Sequence, residues 1–358
     1  MPSVHLPPWI ARQAAELLAR PGHAWLLQGP SGLGQFELAL ALAAAWLCDA
    51  PTSQGACGQC PGCHSLHVHA HADFVMLMPE THMLERGWPL PEKAQAEIDE
   101  KKRKPSKEIR VDAMRDAIEF AQRTSARGRG KAMLIYPAER MNAVTANALL
   151  KTLEEPPGDM RFVLATEAAH LLLPTIRSRC LTHTLRWPDA AEALPWLAAC
   201  GVQEAAAAAL LQAAGGRPAA ALQLARSAES QAEARTTARK AKPAFDDGQQ
   251  AAAAWARLPK ALAQGDASAL ASLPTAEIVA RLQKLCADLM AAQTGAPPRF
   301  FAAADLPARP LPLPALAKWW GQLAQAARSA EHPLNAGLTL EYLASSARQA
   351  LNSAKATN

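Results

Sequence analysis

The chain has 358 residues, of which 50% are hydrophobic and 19% charged, with a net charge of +5. That length exceeds one ordinary core and calls for two or three domains, and the composition excludes a disordered chain. The mild positive charge permits contact with nucleic acid but does not by itself argue for a dedicated DNA-binding surface, whose footprint would be more basic and more clustered.

Aromatic residues are scarce and alanine is abundant, which favours helices packed through small side chains. No apolar run approaches the ~20 residues that cross a bilayer, and Met1–Ile10 lacks the basic-then-apolar layout of a signal peptide. A cytoplasmic location is therefore expected. In such a reducing compartment the seven cysteines do not read as a disulfide framework.

In chain order, His23–Gln28 is expected as a buried strand and Phe36–Cys48 as an alanine-leucine helix. Between them lies Gly29-Pro30-Ser31-Gly32-Leu33-Gly34-Gln35-Phe36, a glycine-rich turn in the context of a phosphate loop. Gly29, Gly32 and Gly34 let backbone amides wrap a phosphate. A working loop then needs a lysine for the β- and γ-phosphates and a Ser or Thr hydroxyl for magnesium. Gln35 and Phe36 hold those positions, so the frame is present without its charge or its metal ligand.

Cys48, Cys57, Cys60 and Cys63 follow with the spacing C-x₈-C-x₂-C-x₂-C. Two-residue spacers turn successive thiolates onto one ion, and four sulfurs satisfy tetrahedral zinc with no open position. A structural zinc is expected. His64, His67, His69 and His71 lie just beyond and are expected as surface or packing residues.

Asp73–Met78 is of strand length. Residues 80–108 are rich in proline and charge, fit no regular pattern and include Lys101-Lys102-Arg103-Lys104. A solvated insertion is expected there, with contact to DNA phosphates as the functional alternative. Asp112 is expected to cap a helix in which Met114, Ala117, Ile118 and Ala121 share a face. Ala132–Tyr136 is a strand whose end should carry Asp-Glu for magnesium and water activation. Tyr136 and Pro137 stand there, and Glu139 lies beyond the strand end. Without lysine, hydroxyl or carboxylates, phosphoryl transfer has nothing to position or neutralise its charge.

A helix is expected over Asn142–Glu155, ended by Pro156-Pro157, and a strand over Arg161–Thr166. Strands alternating with helices imply a mostly parallel sheet covered on both faces. Beyond Trp187 the strand signal disappears. Alanine-rich helices follow, broken at Gly215-Gly216 and around Lys242–Gly248. Ile278, Leu282, Leu285 and Leu289 form a stripe, and Trp319 and Trp320 lie on a further apolar helix; both are expected in packing.

Asn147-Ala148-Leu149-Leu150-Lys151-Thr152-Leu153-Glu154-Glu155-Pro156-Pro157, Phe162–Thr166 and Ile176-Arg177-Ser178-Arg179-Cys180 resemble the bacterial clamp-loader ATPase family. The resemblance covers roughly residues 20–185, and His332-Pro333-Leu334-Asn335 with Leu338 and Glu341 extends it faintly. The broken loop and missing acids resemble the family's non-hydrolysing branch.

That resemblance implies an α/β AAA+ module, a RecA-like parallel sheet with helices on both faces, over residues 1–186. A small helical lid over 187–231 and an all-α collar for oligomerisation over 232–358 would follow. It implies tau/gamma ATPase subunits and a delta subunit as partners, with the sliding clamp and primed DNA met through the assembly. It implies that Arg179, flanked by Ser178 and Cys180, reaches a neighbour's ATP site as an arginine finger. Thr166 takes the sensor-1 position, while Ala219 stands where sensor 2 has an arginine, with Arg217 out of register. No working ATP/Mg site is expected. Two other readings stand beside this one: an active tau/gamma-type ATPase, and a zinc-dependent nucleic-acid-binding protein on an inherited AAA+ fold. The first needs a lysine that the loop lacks. The second would be favoured by aromatics interleaved with a basic stripe, and Lys101–Lys104 has none.

Overall fold

A computed structural model describes residues 6–226, 247–330 and 335–353. The chain forms two compact units, residues 1–187 and 188–358. The expected lid–collar boundary at 231/232 and the His332-Pro333-Leu334 part of the faint extension lie outside the described residues.

In the first unit, five parallel strands form one sheet in the order β2-β3-β4-β1-β5. They are β1 (Ala24–Gln28), β2 (Phe74–Leu77), β3 (Lys131–Ile135), β4 (Met160–Thr166) and β5 (Leu181–Thr184). β1 lies between β4 and β5, with Leu26 opposite Leu164 and Thr182. Parallel strands are buried on both faces, which is why β1, β3 and β4 read as continuous apolar runs. Side chains alternate between faces. Leu26, Met133, Ile135, Phe162 and Leu164 share one core with α6 (Val111–Gln122) and α7 (Ala143–Glu154). On the other face α2 (Gln35–Leu47) packs on β3 and β4 and against α1 (Pro8–Leu18). The glycine-rich turn links central β1 to α2. This is the expected α/β arrangement, a parallel sheet with helices on both faces.

Two local expectations are corrected, and one strand is added that no sequence pattern announced. Residues 80–108 contain two short helices, α4 (Glu80–Glu85) and α5 (Glu92–Asp99), held by a buried ion-pair knot. Arg103 turns inward, donating to Glu80 at 2.5 and 2.8 Å and to Glu97 at 2.7 Å. The basic run is therefore interrupted at its third residue, because an almost buried Glu80 requires a partner charge. The N-cap of α6 is Arg110, and Asp112 lies in the first turn, where its charge still suits the helix dipole. Finally β5 carries no apolar run; Leu181-Thr182-His183-Thr184 is an edge strand with mostly exposed side chains, so burial never shaped its sequence.

Asp73, 1% exposed, ties the start of β2 to the turn before β3. Its carboxylate accepts from the N–H of Ala126 (2.7 Å) and Arg127 (2.9 Å) and from the Ser125 hydroxyl (3.0 Å). Burial pushes the Asp73 carboxyl up, but these hydrogen bonds outweigh it and hold the carboxyl below its ordinary value. A depressed folded pKa contributes stability that is complete above the unfolded value near 3.8. That contribution fades as the pH falls through the folded value. Asp73→Asn is expected to cost about 1–3 kcal/mol at neutral pH. The difference from wild type should shrink in denaturant titrations below about pH 4, the unfolded carboxylate range; a gap constant with pH would assign the loss to packing.

The second unit is helical throughout its described residues. Its first core joins α9 (Ala190–Ala199), α10 (Glu204–Ala213) and α11 over residues 218–226. Its second joins α12 (Asp247–Gln264), α13 (Thr275–Gln293), α14 (Leu313–Ser329) and α15 (Ala336–Asn352). The stripe Ile278, Leu282, Leu285 and Leu289 is buried there, as is Trp319, while Trp320 is exposed.

Candidate functional site

β1 delivers the chain to the glycine-rich turn, and α2 leaves from Gly34. Gly34 has φ +105°, and a Cβ there would stand 2.8 Å from Ile10 Cδ1, so only glycine fits. The next residue closes the loop on itself. Gln35, 2% exposed, donates its side-chain N–H groups to the carbonyls of Gly29 (2.5 Å) and Pro30 (2.8 Å). A lysine there would project a charge outward; the neutral amide satisfies the loop from within.

Phe36, next along α2, and Tyr136, just after β3, bring their ring centroids to 5.3 Å of one another. Arg86, the C-cap of α4, lies 4.1 Å from the Phe36 centroid and 5.1 Å from that of Tyr136. A guanidinium over aromatic faces is attracted by their quadrupoles. Its nearest carboxylate is Glu37, at 3.9 Å. Burial and the adjacent Glu167 raise the Tyr136 phenol, whose O–H donates to Glu167 Oε1 at 2.9 Å. Glu139, on a single 3₁₀ turn beyond β3, is also committed. It accepts from the Thr166 hydroxyl at 2.6 Å and from the Glu167 N–H at 3.0 Å. Thr166 thus stands at the end of β4 with its hydroxyl turned to Glu139.

Arg86 and Glu167 escaped sequence reasoning. Glu167 follows a strand without any motif, and Arg86 belongs to the irregular-looking segment, where nothing in the spacing ties it to Phe36.

The four cysteines converge. Cys48 ends α2, and Cys60 caps and Cys63 enters α3 (Pro61–His67), whose first turn supplies the inward direction. Their Sγ atoms lie within 4.8 Å of one another, with separations of 3.6 Å (Cys48–Cys63), 3.7 Å (Cys48–Cys60) and 4.0 Å (Cys57–Cys63). A tetrahedron with metal–sulfur bonds of ~2.3 Å has edges of ~3.8 Å, so this donor set fits one ion. Backbone N–H groups also point at sulfur: Cys57 to Cys48 (3.3 Å), and Cys63 (3.3 Å) and Asp49 (3.4 Å) to Cys60. The Cys63 N–H foremost pulls the Cys60 thiol down to about 6. Around the cluster, Asp49 accepts from Gly62 N–H (2.9 Å) and pairs with Arg127 (2.8 Å). The histidines lie outside: His64 and His67 are exposed, His69 stacks on Trp88 at 3.8 Å, and His71 is buried.

Arg179 follows α8 (Pro174–Arg177) and is partly exposed. It donates to Thr175 O (3.1 Å) and to Glu154 Oε2 (3.1 Å), with its Nε buried and unpartnered. The Ser178 hydroxyl donates to Thr175 O at 3.2 Å, and burial pushes the Cys180 thiol up to about 12. In the second unit Arg217 donates to Ala214 O at 2.8 Å, and Ala219 lies in α11.

Residues 13–189, about half of the chain, match the family model described as DNA polymerase III, delta subunit. The chain is 40% identical over 202 residues to the DNA polymerase III subunit delta' of Pseudomonas aeruginosa, covering 56% of this chain and 55% of that protein. It is 33% identical over 223 residues to the subunit delta' of Escherichia coli, covering 61% and 60%. To the subunit tau of Salmonella typhimurium it is 33% identical over 172 residues, covering 48% of this chain and 23% of tau. The matches thus span about 55–60% of the length of these two delta' relatives. No helix among the described residues is long and apolar enough to cross a membrane.

Proposed function

Because the chain belongs to the DNA polymerase III delta-prime family, we propose that it is the non-hydrolysing subunit of a bacterial clamp loader, helping to place the sliding clamp on primed DNA. The observation that carries this reading is the filling of the nucleotide site by the chain's own groups. Gln35 satisfies the loop carbonyls, and Phe36, Tyr136 and Arg86 fill the metal position. Among the described residues the nearby carboxylates have partners: Glu139 serves Thr166, Glu167 takes the Tyr136 hydroxyl and Glu37 lies 3.9 Å from Arg86. The active tau/gamma-type alternative has no group to do its chemistry.

In this reading the chain acts in the cytoplasm on partner subunits. Tau/gamma ATPases and delta are its neighbours, with the clamp and primed DNA engaged through the assembly. Arg179 leaves Glu154 to enter an adjacent ATP site. Residues 187–231 serve as lid and 232–358 as collar. The lid does not sense nucleotide, because Ala219 offers no charge and Arg217 is turned to Ala214 O. Cys48, Cys57, Cys60 and Cys63 hold one structural zinc, whose closed sulfur shell leaves no position for substrate. The zinc braces the turn between α2 and α3 and, through Asp49 and Arg127, the turn before β3.

Mixing the purified chain with tau or gamma and delta should give one stable complex on gel filtration, with clamp-dependent ATPase. The chain alone should hydrolyse no ATP above background. Gln35→Lys should also remain inactive, because the carboxylates are still missing. Turnover by the isolated chain that co-purifies with it, or failure to enter the complex, would sink the proposal.

A further inference from the structure

At the far end of β1 from the glycine-rich loop, the first unit has a second concave feature. An open cleft of about 480 Å³ lies beside the N-terminal ends of β1 and β4. The ends of α1 and α2 and the turn carrying Pro51 and Thr52 complete its walls. A cleft of this size falls in the ~300–1,000 Å³ range of ligand sites.

Its lining is cationic. Arg20, Arg129 and Arg161 face it, and none forms an ion pair with a carboxylate among the described residues. Nearby arginines behave differently: Arg127 pairs with Asp49 and Arg186 with Glu16. Two of the three cleft guanidiniums are instead steadied by the cleft's own tryptophans. Arg20 Cζ lies 5.4 Å from the Trp25 ring centroid and Arg161 Cζ 5.7 Å from that of Trp46. Such contacts orient a guanidinium without neutralising it, leaving its fork of donors available for an anion.

We propose that this cleft is a phosphate-binding site for the backbone of single-stranded nucleic acid. Guanidinium forks match phosphate oxygens in geometry as well as charge. The choice of a strand over a free nucleotide rests on shape. Arg20, Pro21, Gly22, Pro51, Thr52 and Arg129 are exposed along the rim, so a chain can cross the cleft while an isolated nucleotide would be poorly enclosed. The choice of backbone over base rests on burial: Trp25 and Trp46 are 1% and 8% exposed, which leaves no indole face for base stacking. Binding is therefore indifferent to sequence.

The test uses the full chain, a fluorescent deoxythymidine oligonucleotide and anisotropy over a salt series at low ionic strength. Each neutralised phosphate adds ~0.7 to the slope of log K against log salt for single strands. Replacing Arg20 and Arg129 together by glutamine should weaken binding about tenfold and reduce that slope by ~1.4. Arg161 is left in place because its contact with Trp46 braces the fold. Lys102→Gln/Lys104→Gln, on the exposed basic run, should leave both quantities nearly unchanged. Three competitors identify the anion: deoxythymidine monophosphate, a random-sequence oligonucleotide and poly-glutamate of equal charge. Only the random oligonucleotide should compete well. Absence of wild-type binding, an unchanged slope in the double variant, or equal competition by the monophosphate would each overturn the proposal. Stronger competition by poly-glutamate would overturn it in favour of an acidic protein partner. The measurement needs no other subunit, so its failure leaves the clamp-loader reading untouched, and entry of the double variant into the complex is scored separately.

Discussion

Replacing Arg179 by alanine is expected to abolish hydrolysis at one ATP site of the assembled loader while leaving the others working. An arginine that meets charge developing on a transferring phosphoryl group is worth ~10³–10⁵ in rate in GTPases, or ~4–7 kcal/mol of barrier. In the isolated chain the guanidinium is held by Thr175 O and by Glu154, whose side chain is 58% exposed. An exposed pair of this kind contributes ~0–1 kcal/mol. Giving up Glu154 to reach a phosphate therefore costs the side chain little. Clamp- and DNA-stimulated ATPase of loaders carrying Arg179→Ala, Arg177→Ala or Glu154→Ala separates the roles. Arg177 is a neighbouring cation outside the motif, and its loss should matter little. Glu154→Ala should leave the rate unchanged or slightly higher. Equal losses from Arg179→Ala and Glu154→Ala would show that the pair merely braces the end of α7, and the finger would be lost.

The parts of the molecule legible in its sequence are those where one physical constraint acts alone. β1, β3 and β4 are buried on both faces and read as apolar runs. α7 shows its N-cap at Asn142, whose side chain accepts from Thr145 N–H at 3.0 Å, and its stop at Pro156-Pro157. The cysteine spacing points to convergence because a two-residue spacer leaves thiolates few other arrangements. The hidden parts depend on partners distant in sequence. Nothing in residues 80–108 announces that Arg103 serves Glu80 or that Arg86 covers Phe36, since each needs the fold to bring it there. β5 was invisible for the opposite reason: an edge strand is defined by its backbone pairing to β1, and its exposed Thr182 and Thr184 carry no pattern. The absent lysine of the glycine-rich loop was plain in the sequence, but the side chains that fill the space were not.

Stripping metal from the cysteine cluster is expected to release one zinc per chain, expose four thiols and unfold the corner between α2 and α3. The sulfur separations of 3.6–4.0 Å already match a zinc tetrahedron. Without an ion, thiolates crowded at this distance repel, and Cys48 and Cys63, whose thiols burial pushes upward, favour protonation. Zinc binding contributes ~10–16 kcal/mol in small modules that have no other core. Here the α/β sheet has its own core, so local opening limits the loss and the sheet should survive. The effect should therefore be regional. Hydrogen exchange should accelerate across residues 48–67, and through Asp49 and Arg127 it should spread to the turn at 125–130. β1 and β4 should stay protected. Cys60→Ala should reproduce the effect, because its sulfur also accepts the N–H groups of Asp49 and Cys63. Cys200→Ala, outside the cluster, is the matched control. Elemental analysis of protein purified without added metal gives the direct answer. Zinc far below one per chain, with exchange across residues 48–67 indifferent to added zinc, would remove the metal site and leave four reduced cysteines packed by the fold alone.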